Sequence, residues 1–201
     1  MTLRYSASTA LLCALAIGLA AAAPAPLAVD SARITIAGTS NVHAWTASTT
    51  AVTVTSVRVA PGVAGPDFWA AILAPGALEA FSIAIPAASL TSPKDGLDKN
   101  MHKALNVREH AEIEFRLLRL EPGAAPGALR ATGLLRIAGV EQEIAFDLAA
   151  ARNGATLAVT GEVPIVMTDF GIQPPKAMLG MLRTDPKVTV RFETVLAIPL
   201  T

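Results

Sequence analysis

Hydrophobic and polar residues alternate one by one along most of the chain after residue 30. Near its start, Ile34 and Ile36 flank Thr35, and seven later segments repeat this period: Val52 to Val59, Phe81 to Ile85, Ile113 to Leu117, Leu129 to Ile137, Ile144 to Leu148, Leu157 to Val163 and Val188 to Phe192. The apolar parity changes once within Val52 to Val59, which predicts a β-bulge near Ser56. Strands with one buried face and one solvent-exposed face are typical of antiparallel sheets. Eight such strands predict an all-β barrel or sandwich.

Two segments interrupt the alternation. Ser92 to Leu105 predicts a helix, because Leu97, Met101 and Leu105 recur every four residues and Ser92 and Asp95 have the spacing of a capping box. Gln173 to Pro186 is rich in proline and methionine, and it predicts a short helix packed over an opening. We expect the helix and the methionine-rich stretch around Met178 to Leu182 to gate or cover the barrel and to be more mobile than its strands.

The inward positions of the strands are apolar throughout. Large rings such as Phe115 and Phe146 alternate with small residues such as Gly133 and Gly161. An eight-stranded barrel is just wide enough to be filled by side chains or to hold one small ligand. A hollow interior of this composition accepts only an apolar ligand, because a polar one would lose its hydrogen bonds to water. From the pattern alone, a filled core and a hollow one stay equally open.

The first residues have the three parts of a secretory signal peptide. Arg4 supplies the basic start, Ala10 to Ala23 forms an apolar centre, and the run ends in small alanines before Pro24. We therefore expect residues 1–23 to be removed and residues 27–201 to form one periplasmic or secreted domain. The single cysteine, Cys13, lies in the removed part, so the mature chain would have no thiol chemistry and no disulfides.

Composition and charge exclude several functional classes. The chain of 201 residues has 16 basic and 16 acidic side chains, so it has no basic footprint for nucleic acid. Beyond the N-terminal segment, no stretch approaches the ~20 consecutive apolar residues of a membrane-spanning helix. A transient contact with a membrane surface and a homodimer both stay open.

Candidates for catalysis are weak. His110, Glu112 and Glu114 share one face of a strand, but that face is opposite Ile113 and is expected to be solvated. The three histidines, at positions 43, 102 and 110, include no pair at metal-ligand spacing. Asp169 precedes a Phe-Gly pair that ends a strand, where it could meet a ligand headgroup. We predict no catalytic residues, no metal site and no enzyme activity.

Several motifs, in order, resemble the YceI-like, or polyisoprenoid-binding, family. They are the stretch from Ile34 to Trp45, the block from Ser89 through Met101 to Phe115, the hairpin from Gly133 to Phe146, and Thr168 to Ile172. Ala44 stands where relatives often carry aspartate. The resemblance implies an extended, eight-stranded, lipocalin-like antiparallel barrel with one or two short helices. It also implies that a long isoprenoid lipid, of the quinone type, is carried in the central tunnel, with no other cofactor.

The alternation and the resemblance together predict the residues that line this tunnel: Trp45, Phe81, Ile83, Met101, Leu105, Ile113, Phe115, Leu135, Ile144, Phe146, Val159, Val163, Phe170, Met178, Met181, Val190 and Phe192. Two alternatives are kept beside the lipid carrier. One is a small enzyme that uses the histidines and glutamates, and the other is a filled β-sandwich that acts as an interaction module.

Overall fold

The computed structural model describes residues 27–125, 127–177 and 181–199, without the side chains of residues 177 and 182. The segment predicted to be a signal peptide, 1–23, lies outside these ranges. Short 3-10 helices cover Ala87–Ser89 and Met167–Phe170. The other elements are β1 (Ala28–Ser40), β2 (Ala44–Thr49), β3 (Thr53–Val59), α1 (Phe68–Ile72), β4 (Leu78–Pro86), α2 (Asp95–Ala104), β5 (Glu112–Pro122), β6 (Ala128–Ile137), β7 (Val140–Asn153), β8 (Thr156–Val166), β9 (Lys176–Ala177) and β10 (Leu182–Ala197).

Nine strands form one antiparallel sheet in the order β2-β1-β10-β8-β7-β6-β5-β4-β3, and β9 pairs with the start of β10. The sheet curls around one interior, which confirms the predicted all-β barrel class. It has one more strand than the eight predicted. The additional strand is β2, whose inward positions Trp45, Ala47 and Thr49 include a small and a polar residue and so hide the period of two. The predicted bulge at Ser56 is confirmed by a shift in the register between β3 and β4.

The barrel is incompletely closed, because β2 and β3 are the two edges of the sheet and do not pair with each other. A bridge fastens the β2 edge to the segment that follows β4: the backbone of Ser48 exchanges two hydrogen bonds with Thr91, at 2.8 and 3.0 Å. The hydroxyls of Thr49 and Ser89 add a third at 2.7 Å. Since β2 pairs only with residues 34–39 of β1, the first residues of β1 face β3 across a gap in the hydrogen-bonded wall.

The two segments predicted as covers differ from expectation. The helix begins at Asp95 rather than Ser92. The expected capping contact between Ser92 and Asp95 is replaced by one from Asp98, whose Oδ1 accepts a hydrogen bond from the backbone N–H of Ser92 at 2.8 Å. The predicted short helix between residues 173 and 186 is absent from the described part of that segment. Lys176 there pairs with Arg183 in a narrow antiparallel hairpin. No helix within the described ranges is long and apolar enough to cross a membrane.

Alternating large and small side chains let the sheet curl tightly. The rings of Phe115, Phe146 and Phe192 come from β5, β7 and β10, and their centroids are 5.7 and 5.6 Å apart. The strands between them carry glycine where those rings lie: a Cβ on Gly133 would be 2.5 Å from the Phe115 ring, and one on Gly161 would be 2.3 Å from the Phe192 ring. We call these five residues the phenylalanine–glycine band.

Filling one of these glycine positions should destabilise the barrel. A Cβ at Gly133 would also approach the backbone oxygen of Arg116 at 2.6 Å, so the neighbouring strand itself has to move. We expect Gly133→Ala to lower the free energy of unfolding by about 2 kcal/mol and Tm by about 4–8 °C. Thermal denaturation followed by circular dichroism measures this.

Gly96→Ala is the matched control, because a Cβ at Gly96 in α2 meets nothing within 4 Å. It should leave Tm unchanged or raise it, since alanine favours helix over glycine by about 0.5–1 kcal/mol. Equal effects of the two substitutions would contradict the role given to the band.

Candidate ligand-binding cavity

The curled sheet encloses a cavity of about 230 Å³. Its wall is drawn from the inward positions of seven strands, from the α1 region, from the segment that follows β4, and from Leu27 and Val52 beside β1 and β3. Thr194 is the one polar residue among the described residues of this wall. Of the residues predicted to line a tunnel, the structure places these on the wall: Phe81, Ile83, Ile113, Phe115, Leu135, Ile144, Phe146, Val159, Val163, Val190 and Phe192.

Other predicted lining residues lie away from the wall. Trp45, Met101, Leu105 and Phe170 belong to the packed core at the α2 end of the barrel, where Phe170 is only 3% exposed. Period-two alternation cannot separate such a plug from a cavity wall, because both face inward. Met181 points to solvent and is 69% exposed, so its prediction as a lining residue is corrected. Met178 lies outside the described residues.

The α2 end of the cavity is closed by a thick apolar plug. Met101 of α2 and Leu105, which follows the helix as its C-cap, pack in one cluster with Phe170, Ile172 and Val188. The Nε2 atom of His102 lies 2.8 Å from the carbonyl oxygen of Leu90 and fixes α2 to the segment before it. Leu90 reaches the cavity wall but Met101 and Leu105 do not, so α2 lies behind the wall as a second layer.

The opposite end is closed by a single layer that the sequence analysis missed. This layer is α1, whose Trp69 and Ile72 are each 3% exposed and form part of the cavity wall. Phe68 packs edge-on against Trp69, with ring centroids 5.2 Å apart. The indole Nε1–H of Trp69 donates a hydrogen bond to the carbonyl oxygen of Ala155 at 3.1 Å. In the sequence, this helix could have been inferred from the bulky residues at positions 68, 69 and 72, which stand between prolines 66 and 75.

The cavity is elongated along the strands. On β8 its wall runs from Leu157 to Ile165, eight residue steps, or about 27 Å of strand at 3.4 Å per residue. A volume of about 230 Å³ spread over such a length gives a narrow space rather than a round one. Its shape therefore fits a slender chain better than a compact molecule.

Ionisable groups lie outside this space. The described ion pairs, such as Arg130 with Asp147 and Arg136 with Glu114, are on the outer face of the sheet. There the hydrogen bond and charge of Glu162 raise the pKa of Arg191. Nothing titratable is on the described wall of the cavity, so binding there should not depend directly on pH.

The other candidates from the sequence also lie outside the cavity. The ring of His110 lies against Gly139 in the turn between β6 and β7. Among the described residues, no three His, Cys, Asp or Glu side chains are placed to hold a metal ion. Asp169 is exposed at the α2 end, where its backbone oxygen accepts a hydrogen bond from Gln142, and it is not on the cavity wall.

An apolar cavity of this size has a definite chemical preference. A cavity of ~150 Å³ lined by aliphatic and aromatic side chains can stay dry and bind small apolar molecules. The present cavity is larger, and its wall offers water almost no hydrogen-bonding partner. Fold and cavity together define a β-barrel protein with an interior suited to hydrocarbon.

Comparisons with known proteins place the chain within a family. Residues 29–196 match the YceI-like domain, and the chain therefore belongs to the YceI-like family. A search of curated proteins gave no match.

Solved structures share the fold at low identity. BcnA of Burkholderia cenocepacia has a TM-score of 0.62 at 16% identity, over 83% of this chain and 96% of its own. A polyisoprenoid binding domain from Saccharophagus degradans, implicated in plant cell wall breakdown, has a TM-score of 0.64 at 14% identity, over 87% and 99%. The YCEI protein of Campylobacter jejuni has a TM-score of 0.53 at 14% identity, over 72% and 80%.

The single-layer cover should open more easily than the sheet. Helix α1 has five residues and no side-chain hydrogen bond at its N-cap, and so short a helix is held by packing rather than by its own stability. We expect the amides of residues 68–73 to exchange with solvent faster than those of β6 in hydrogen–deuterium exchange.

Trp69→Phe should speed this opening further. Phenylalanine keeps a buried ring but removes the hydrogen bond to Ala155, a loss of about 1 kcal/mol or roughly fivefold in exchange rate. The amides of β6 serve as the internal control and should not change. Protection of α1 equal to that of β6 in both proteins would contradict a separately opening cover.

Proposed function

We propose that this protein binds one long apolar lipid chain, of the isoprenoid type, in its central cavity and carries it outside the cytoplasm. The observation that carries the proposal is the elongated cavity whose described wall contains Thr194 as its one polar residue. Burial of hydrocarbon contributes about 0.8 kcal/mol per methylene, so a chain that fills such a space can be held without any specific polar contact.

The family supports the same conclusion. The chain matches the YceI-like domain over most of its length. A neighbour with the same fold is named as a polyisoprenoid binding domain. An isoprenoid chain of the quinone type is consistent with the cavity, because a slender hydrocarbon tail can lie inside while a polar head stays outside the apolar wall.

Localisation outside the cytoplasm is part of the proposal. It depends on the sequence of residues 1–23, whose basic start, apolar centre and terminal alanines fit a cleaved signal peptide. A domain without cysteine is also suited to an oxidising compartment.

The two alternative functions have less support. An enzyme would need reactive groups facing a substrate site, whereas the described wall holds no titratable side chain and His110, Glu112 and Glu114 lie outside it. A filled sandwich would need two packed sheets, whereas the described strands form one curled sheet around an unfilled space. We therefore assign the protein a binding role rather than a catalytic one.

Extraction of the purified protein with organic solvent, followed by mass spectrometry, tests this function. We expect an isoprenoid lipid in near-stoichiometric amount from protein isolated from its native periplasm or medium. Phe146→Asp should abolish retention, because a carboxylate placed in the phenylalanine–glycine band faces an apolar space. His110→Ala is the control and should retain lipid, since His110 is remote from the cavity wall.

A second variant guards against misfolding of Phe146→Asp. Ala150 lies on the cavity wall and is half-buried, so Ala150→Phe narrows the space without adding charge. Exclusion of even two methylenes would weaken binding by about 1.6 kcal/mol, or roughly tenfold. Undiminished lipid in folded Ala150→Phe, or lipid lost only from His110→Ala, would refute binding in this cavity.

A further inference from the structure

The two most exposed large apolar side chains of the described residues lie on two turns that are hydrogen-bonded to each other. Val42, in the turn between β1 and β2, is 67% exposed, and Met181, just before β10, is 69% exposed. The side-chain Nδ2 of Asn41 donates a hydrogen bond to the carbonyl oxygen of Met181 at 2.8 Å and joins the two turns. Isolated apolar residues are ordinary on a protein surface, but two that protrude from joined turns beside a cationic groove are placed to contact the same partner.

Both turns are held in place by hydrogen bonds. The hydroxyl of Ser40 accepts from the backbone N–H of Val42 at 3.3 Å and of His43 at 3.1 Å. The Oδ1 of Asn41 accepts from the backbone N–H of Arg183 at 2.8 Å, and the Asn41 N–H donates to the Arg183 carbonyl at 3.1 Å. Because these backbones are fixed, little ordering of the turns remains to oppose binding.

A cationic groove of about 690 Å³ begins beside these turns. It runs between α2 on one side and residues 173–176 and 183–184 on the other, and its described walls include Lys103, Lys176 and Arg183 but no carboxylate. The carboxylate of Asp185 follows close by in sequence, and its Oδ1 accepts a hydrogen bond from the backbone N–H of Lys187 at 2.8 Å. The groove therefore presents clustered positive charge although the whole chain is electrically balanced.

We propose that this end of the barrel docks on an anionic lipid surface, with the two apolar tips entering the interface and Lys103 and Lys176 facing the headgroups. Apolar side chains flanked by cations are what a negatively charged membrane surface attracts. A free anion would use Lys103 and Lys176 alone and would leave the apolar pair without a role. This surface is separate from the cavity wall and goes beyond the proposed lipid-carrying function, and it would direct α1 away from the membrane.

Flotation of the purified full chain with lipid vesicles tests the charge component. Vesicles of phosphatidylcholine alone are compared with vesicles of phosphatidylcholine and phosphatidylglycerol in equal amounts. We expect binding to the anionic vesicles that weakens as salt is added, and little binding to the neutral ones. Lys103→Gln and Lys176→Gln should each lower partitioning about fivefold. Arg116→Gln, which removes an exposed cation from β5, should not.

The apolar component has its own control. Val42→Ser and Met181→Ser should each reduce partitioning roughly fivefold, since partial burial of such side chains is worth about half of a full transfer. Ile198, 46% exposed just beyond the far end of β10, provides the matched substitution Ile198→Ser, which should have no effect.

Three results would overturn the proposal. The first is equal binding of the wild type to neutral and anionic vesicles. The second is a decrease in vesicle partitioning for Arg116→Gln or Ile198→Ser that is as large as the decrease for Lys103→Gln or Met181→Ser. The third is displacement from vesicles by inorganic phosphate at unchanged ionic strength, which would identify a small-anion site instead.

Discussion

The close approach of phenylalanine rings to glycine backbone is the constraint on which the rest of the structure depends. On β5 and β10 the rings lie across neighbouring strands that have no Cβ at that level, so the sheet can bend sharply there. The tilted contacts that Phe146 makes with both rings connect the two sides of the band. Larger residues at the glycine positions would push the strands apart. The narrow cavity therefore follows from the placement of small residues as much as from the apolar character of large ones.

The two ends of the barrel are closed in different ways, and this difference gives the molecule a direction. At the α2 end, the helix lies behind the wall, and the bridge between Ser48 and Thr91 fastens the β2 edge to the segment that follows β4. At the other end, one five-residue helix closes the cavity, and Trp69 is both wall and cover. A cover whose own side chains form the wall cannot move without exposing the cavity. Entry and exit of a ligand are therefore more easily achieved beside α1 than through the plug.

The sequence predicted the inward strand positions well because alternation reports directly on which face of a strand is buried. Phe115, Phe146 and Phe192 lie where their parity places them. Alternation could not tell wall from plug at Trp45 or Met101, since this distinction depends on position along the barrel axis rather than on the face. It also missed β2, whose inward positions are not uniformly apolar, and α1, which is too short to show a helical period. Methionine content alone suggested a buried role for Met181, which the hairpin of β9 and β10 places in solvent.

A wall with almost no polar groups limits how selectivity can arise. Apart from Thr194, such a wall has no polar residue that could distinguish one headgroup from another, so discrimination must come mainly from the width and length of the chain. The available free energy grows with each buried methylene and stops growing where the cavity ends. A chain longer than the cavity must displace α1 or part the apolar contacts between β1 and β3, which no backbone hydrogen bonds reinforce. Chain length and the position of the cover are thus linked: the longest ligands would hold the cover open, whereas ligands that fit would let it close over them.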